Sequence, residues 1–149
     1  MRTALALLLV LASAPAARAE DDCTRLIDRV RTETKAEVAE RSPDFARFNA
    51  GPQTSLTLSC AGAGASSVGA QYLGEAPPEA YEALFVQAGH AITGIAPDSL
   101  RDATRQARAT AQRQRHATVD VAGARVTCAI MKKEQGPLTL CAVIPRSGD

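Results

Sequence analysis

Four cysteines, Cys23, Cys60, Cys128 and Cys141, limit what this chain can become more than any other feature. An even set either pairs into disulfides, which requires an oxidising compartment, or gathers at close spacing as a metal or redox site. Close spacing is missing: no two of the four stand as C-x-x-C, so the zinc-ribbon and thiol-oxidoreductase readings lack their motif. The N-terminus supplies the compartment. Met1-Arg2 starts with a positive charge, Ala4 to Ala12 is an apolar run, and Ala17-Arg18-Ala19 ends on small residues. These are the physical needs of a cleavable secretory signal. The run is about half of the roughly 20 apolar residues a membrane-spanning helix needs. Cys23 follows Glu20-Asp21-Asp22, so it does not stand at the cut as a lipoprotein cysteine would. The expectation is a signal peptide over residues 1–19, a single domain over 20–149, a periplasmic or secreted location, two disulfides and no transmembrane segment in the mature chain.

Charge then narrows the partners. Of 17 basic residues, Arg2 and Arg18 lie in the first nineteen positions with no acid beside them, leaving 15 against 16 acids, a net of −1. A nucleic-acid binder would carry a basic excess, so nucleic acid is not an expected partner. Three Phe, two Tyr and no Trp leave few stacking platforms for bases or sugars.

Hydrophobic periodicity gives the elements. Leu26, Ile27, Val30, Thr34 and Val38 recur at threes and fours, which predicts a helix over 22–40, ended by Ser42-Pro43. Residues 44–53 read as a loop through Asn49-Ala50-Gly51-Pro52. Leu56, Leu58 and Cys60 alternate with Thr57 and Ser59, a strand over 54–60, and Ser67 to Leu73 returns as another. Pro77-Pro78 opens a second helix with the stripe Tyr81, Leu84, Phe85, Ala88 and Ile92, closed by Gly94 as a left-handed cap. Pro97-Asp98 starts a third, with Leu100, Ala103, Ala107 and Ala111 inward, ending near Arg115. The link Ile95-Ala96 is so short that these two helices form an antiparallel hairpin. Turns at Ala122-Gly123 and Glu134-Gln135-Gly136-Pro137 make the remainder a three-stranded meander. The expected fold is α+β, a four- or five-stranded antiparallel sheet with three helices packed mainly on one face and stapled by disulfides.

Element lengths select the bridges. A helix from Cys23 and a strand ending at Cys60 are each about 25 Å long. Laid antiparallel, they bring those two sulfurs to one end. The last hairpin sets Cys128 opposite Cys141. Cys23–Cys60 and Cys128–Cys141 are therefore the expected pairs.

No catalytic set is legible. Ser66-Ser67 lies outside a Gly-x-Ser-x-Gly turn, and Ala61-Gly62-Ala63-Gly64-Ala65 lacks the Lys-Ser/Thr of a phosphate loop. His90 has no ligand-type residue three or four positions before it that would make a helical metal pair, and His116 reads as the C-terminal end of the third helix, so neither a metal nor another cofactor is expected. What stands out is Arg101, Arg105, Arg108, Gln112 and Arg115, within about 40° of one line on the third helix. Such a stripe can grip phosphate, an acidic polysaccharide or an acidic protein. It can equally be matched from within, because an antiparallel hairpin brings Glu82 near Arg108 and Glu75 near Arg115. The expected function is a small exported, non-catalytic binding or interaction protein. Its partner is an envelope protein or an anionic ligand, and Arg101, Arg105, Arg108 and Arg115 are the candidate binding residues. The alternative is a small envelope hydrolase whose acid–base site is assembled from distant residues.

Overall fold

The computed structural model describes residues 15–62 and 65–146, with side chains from residue 22 onward. Most of the expected signal segment lies outside the described residues. The elements, in order, are α1 (Pro15–Thr34), β1 (Glu37–Ser42), β2 (Phe45–Asn49), β3 (Thr54–Ser59), β4 (Ser67–Leu73), α2 (Glu79–Thr93), α3 (Pro97–Gln114), β5 (His116–Val121), β6 (Ala124–Lys133) and β7 (Gly136–Pro145). The fold is α+β, with three helices, an antiparallel sheet and two disulfides.

The sheet has seven strands in the order β1-β2-β3-β4-β7-β6-β5, which corrects the expected four or five. The two extra strands come from residues read as the tail of the first helix and as a loop. α1 stops at Thr34 because Lys35 turns into the left-handed region, φ 58°, and its N–H donates to the Arg31 carbonyl at 2.9 Å. The Thr34 hydroxyl donates to the Val30 carbonyl and accepts from the Ala36 N–H, spending its bonds on the exit from the helix. Glu37–Ser42 then folds back at Pro43-Asp44 and pairs with Phe45–Asn49. Ala46 and Phe48 enter the core from this hairpin. A five-residue strand with two inward side chains offers little alternation to read, and pairing along β3 decides it.

The topology repeats itself in a way no sequence period announces. α1 leads through Lys35 into the meander β1 to β4. α3 leads through Arg115, φ 67°, whose N–H donates to the Ala111 carbonyl at 2.6 Å, into the meander β5 to β7. The last strands of the two meanders, β4 and β7, pair antiparallel at the middle of the sheet.

All three helices share one core with one face of the sheet. Ile27 and Val30 of α1, Tyr81, Phe85 and Ala88 of α2, and Leu100, Ala103, Ala107 and Ala111 of α3 meet Phe48, Leu56, Leu58, Val68, Val126 and Val143. The approach is close at Gly89, where a Cβ would stand 3.1 Å from a Val143 methyl and 3.3 Å from a Leu100 methyl. Gly94, φ 71°, caps α2 by donating to the His90 carbonyl, and the hairpin to α3 follows at once. Among the described residues no helix is long and apolar enough to cross a membrane.

The disulfides join Cys23 to Cys60, with Cα atoms 5.6 Å apart, and Cys128 to Cys141, 4.1 Å apart. The first ties α1 to the end of β3. The second bridges directly opposed residues of β6 and β7 beneath the helices. Two such bonds are compatible with an oxidising compartment.

Candidate functional site

The α2–α3 hairpin sets Glu82, in the first turn of α2, against the middle of α3. A carboxylate there is favoured by the positive end of the helix dipole. Its side chain is 9% exposed and gathers three guanidinium groups of one helix face. Arg105 Nε donates to Oε1 at 2.8 Å and Arg108 Nη1 to Oε2 at 3.3 Å, while Arg101 Nε stands 4.0 Å from Oε1. Arg101 also donates to Asp98, one turn earlier on α3.

The spacing of α3 explains the convergence. Positions 101, 105 and 108 lie one turn apart on one face, and a single buried carboxylate can accept on both oxygens. The three arginines differ in what they have left to offer. Arg108 is packed in, with its side chain 18% exposed. Arg101 is intermediate at 35%, and Arg105 stands out at 58%. Each fork has five donors, and Glu82 takes a minority of them. Charge does not cancel either: three cations face Glu82 and the outlying Asp98, leaving one positive charge. Glu82, Arg105, Arg108, Ala109 and Gln112 line a shallow depression on this surface.

Arg115 and Glu75 stand apart from the group. Arg115 is the left-handed cap of α3 and exposed. Glu75 precedes α2, which begins at Glu79, so helical spacing does not extend back to it. No ion pair joins Glu75 to Arg115 among the described residues. The same helix end relocates His116, read from sequence as the close of the third helix. It is the first residue of β5, exposed on the face opposite the helices. His90 is occupied in the hairpin turn, its Nδ1 2.8 Å from the Ile95 carbonyl. Asp98 is the member of the group that the sequence reading missed. Its position three residues before Arg101 was the available signal.

A separate cleft of about 260 Å³ lies between α1, the end of α2 and the link from β3 to β4. Leu26, Ile92, Pro145 and the Cys23–Cys60 bridge form its apolar walls, and Asp22, Arg25 and Arg29 its rim. Arg25 donates to Asp22 and Arg29 to the Ala91 carbonyl, so these charges already serve the fold.

Comparison with protein-family models, with curated proteins and with solved structures found no match to this chain.

Proposed function

We propose that this is an exported, non-catalytic binding domain, working in the periplasm or outside the cell. Arg101, Arg105 and Arg108 of α3 take an anionic group of its ligand or of an envelope partner. The observation that carries the reading is the gathering of these three guanidiniums on one buried carboxylate. Glu82 orders the side chains while taking only a minority of their donors, so an incoming anion meets a prepared grip and forfeits less side-chain entropy on binding. The surplus positive charge favours phosphate, sulfate or carboxylate over a neutral or cationic group. Export rests on the charge and apolar pattern of residues 1–19, and the two disulfides fit the destination.

Two measurements test the proposal. N-terminal sequencing of the secreted or periplasmic fraction is expected to begin at Glu20. Titration of the protein with inorganic polyphosphate and with an Asp/Glu-rich peptide, followed by amide chemical shifts, is expected to move resonances around Arg105 and Gln112. Charge reversal by Arg101→Glu with Arg105→Glu should abolish that response. Binding left unchanged by the pair of reversals eliminates the arginine grip.

A further inference from the structure

α1 divides its side chains between two tasks. Ile27 and Val30 enter the core, whereas Asp22, Arg25, Leu26 and Arg29, spaced at threes and fours, run down the face that borders the cleft beside α2. The cleft has a floor as well as walls. Among its lining residues Cys23 is 2% exposed and Ser66 7%, while Leu26, Cys60, Ile92 and Pro145 stand half-buried around them. We infer that this cleft is a binding site for a short aliphatic carboxylate, with the chain on the apolar walls and the head group held by Arg29 and Arg25.

The walls call for a hydrocarbon chain. Leucine, isoleucine and proline carbons and a disulfide meet here from α1, α2, the end of β7 and the end of β3. Covering such half-exposed carbon is favourable in proportion to the area removed from water. The volume of about 260 Å³ holds roughly nine groups of about 30 Å³ each. That suits a chain of about eight carbons and falls short of a long acyl lipid.

The rim calls for an anion. Two arginines face one aspartate there, which leaves one positive charge. Their internal bonds fix these arginines in place without exhausting them. Arg29 spends Nη1 on the Ala91 carbonyl at 3.1 Å, and the other N–H groups of its five-donor fork remain to be offered. Arg25 pairs with Asp22, but both side chains are exposed, at 68% and 53%, and a pair so placed in water exchanges readily for another carboxylate. A carboxylate meets a guanidinium with two parallel hydrogen bonds, whereas a cationic head would be repelled and a neutral one would leave the fork unanswered. The buried hydroxyl of the lining agrees with a ligand that carries an acceptor. Ser66 Oγ reaches the Gly62 carbonyl only at 3.5 Å, at the outer limit of a hydrogen bond, so its proton is available to an acceptor entering the cleft.

The disulfide-bonded protein lacking residues 1–19 is titrated with sodium octanoate and, in parallel, with octanol, and amide chemical shifts are followed. Octanoate is expected to saturate with a dissociation constant of about 1 mM or tighter, moving the resonances of Leu26, Arg29, Ser66 and Ile92. Octanol has the same chain and no charge, and should bind at least about ten-fold more weakly. Arg29→Gln should weaken octanoate by about the same factor and leave octanol unchanged, and Arg25→Gln should act in the same direction. Both arginines are exposed and outside the core, so circular dichroism and both disulfides should be retained. Charge reversal of Arg101 and Arg105 on α3 should leave octanoate binding intact. The inference is overturned by the absence of saturable shifts up to about 10 mM octanoate, or by octanol binding as tightly as octanoate. Octanoate shifts that map to Arg105 and Gln112 would assign the carboxylate to α3 and equally overturn it, as would affinity that neither glutamine variant changes.

Discussion

Tyr81 shows how much one side chain can carry in a core short of aromatics. It is 1% exposed, its hydroxyl donates to the Ala70 carbonyl at 2.8 Å, and its ring meets Tyr72 edge-on at 6.1 Å. Burial pushes its pKa well above the ordinary tyrosine value, with a backbone hydrogen bond at Cys141 and the nearby Arg108 charge pulling more weakly the other way. The neutral phenol is therefore the form the fold stabilises. That stability is complete below the unfolded value of about 10 and is lost as pH rises from there toward the raised native value. Thermal unfolding from pH 8 to 11.5 should show the midpoint falling above about pH 10. Tyr81→Phe should cost about 1 kcal/mol at neutral pH, through the lost hydrogen bond, and flatten the alkaline fall. Parallel alkaline curves for the two proteins would refute the assignment.

At the scale of elements, two helix-to-strand junctions stand out. Lys35 and Arg115 both hold a left-handed backbone with a side chain attached, a conformation that costs a non-glycine residue about 1 kcal/mol or more. Each is the cap that releases a helix into the first strand of a meander. Lys35→Gly and Arg115→Gly should each stabilise the protein in urea unfolding by roughly 0.5 kcal/mol, the relief being partly offset by the freer unfolded chain. Destabilisation by both would contradict the junction geometry. The same junctions mark where sequence reading succeeded and failed. The α2–α3 hairpin was legible because Pro97, Gly94 and the alanine stripe act locally. The end of α1 was not, because Lys35 carries no glycine to announce a left-handed cap and Val38 continues the helical spacing. Glu82 meeting Arg108 was legible from the hairpin. Its capture of Arg101 and Arg105 as well depends on how deeply α2 sets the carboxylate against α3.

Across the whole molecule the two disulfides differ in reach and in shelter. Cys23–Cys60 closes a loop of sequence separation 37, Cys128–Cys141 one of 13. On the chain-entropy model they contribute about 4 and about 3 kcal/mol. Cys60 is half-buried and lines the cleft beside α1, whereas Cys128 and Cys141 are 1% and 0% exposed beneath the helices. A reductant should therefore open Cys23–Cys60 in the native state and reach Cys128–Cys141 only through global unfolding. Pulsed alkylation with peptide mapping during mild reduction should label Cys23 and Cys60 first. Early labelling of Cys128 would mean that the sheet opens more readily than this packing allows.

Most of what turns on neighbouring residues was legible from the chain alone. That covers the helix hairpin, the last meander with Cys128 facing Cys141, the return of β3 into β4, and an arginine face on one helix. Turn chemistry and side-chain period act over a few residues, so they can be read without a fold. Packing settled that β1 and β2 exist, that β7 lies beside β4 to unite two meanders in one sheet, and that one carboxylate holds three arginines. The β4–β7 pairing and the seating of Glu82 among three arginines join segments far apart in the chain. The β1–β2 hairpin, though local, is held by β3 and by the burial of Ala46 and Phe48. These free energies therefore appear only once the chain has closed around its core.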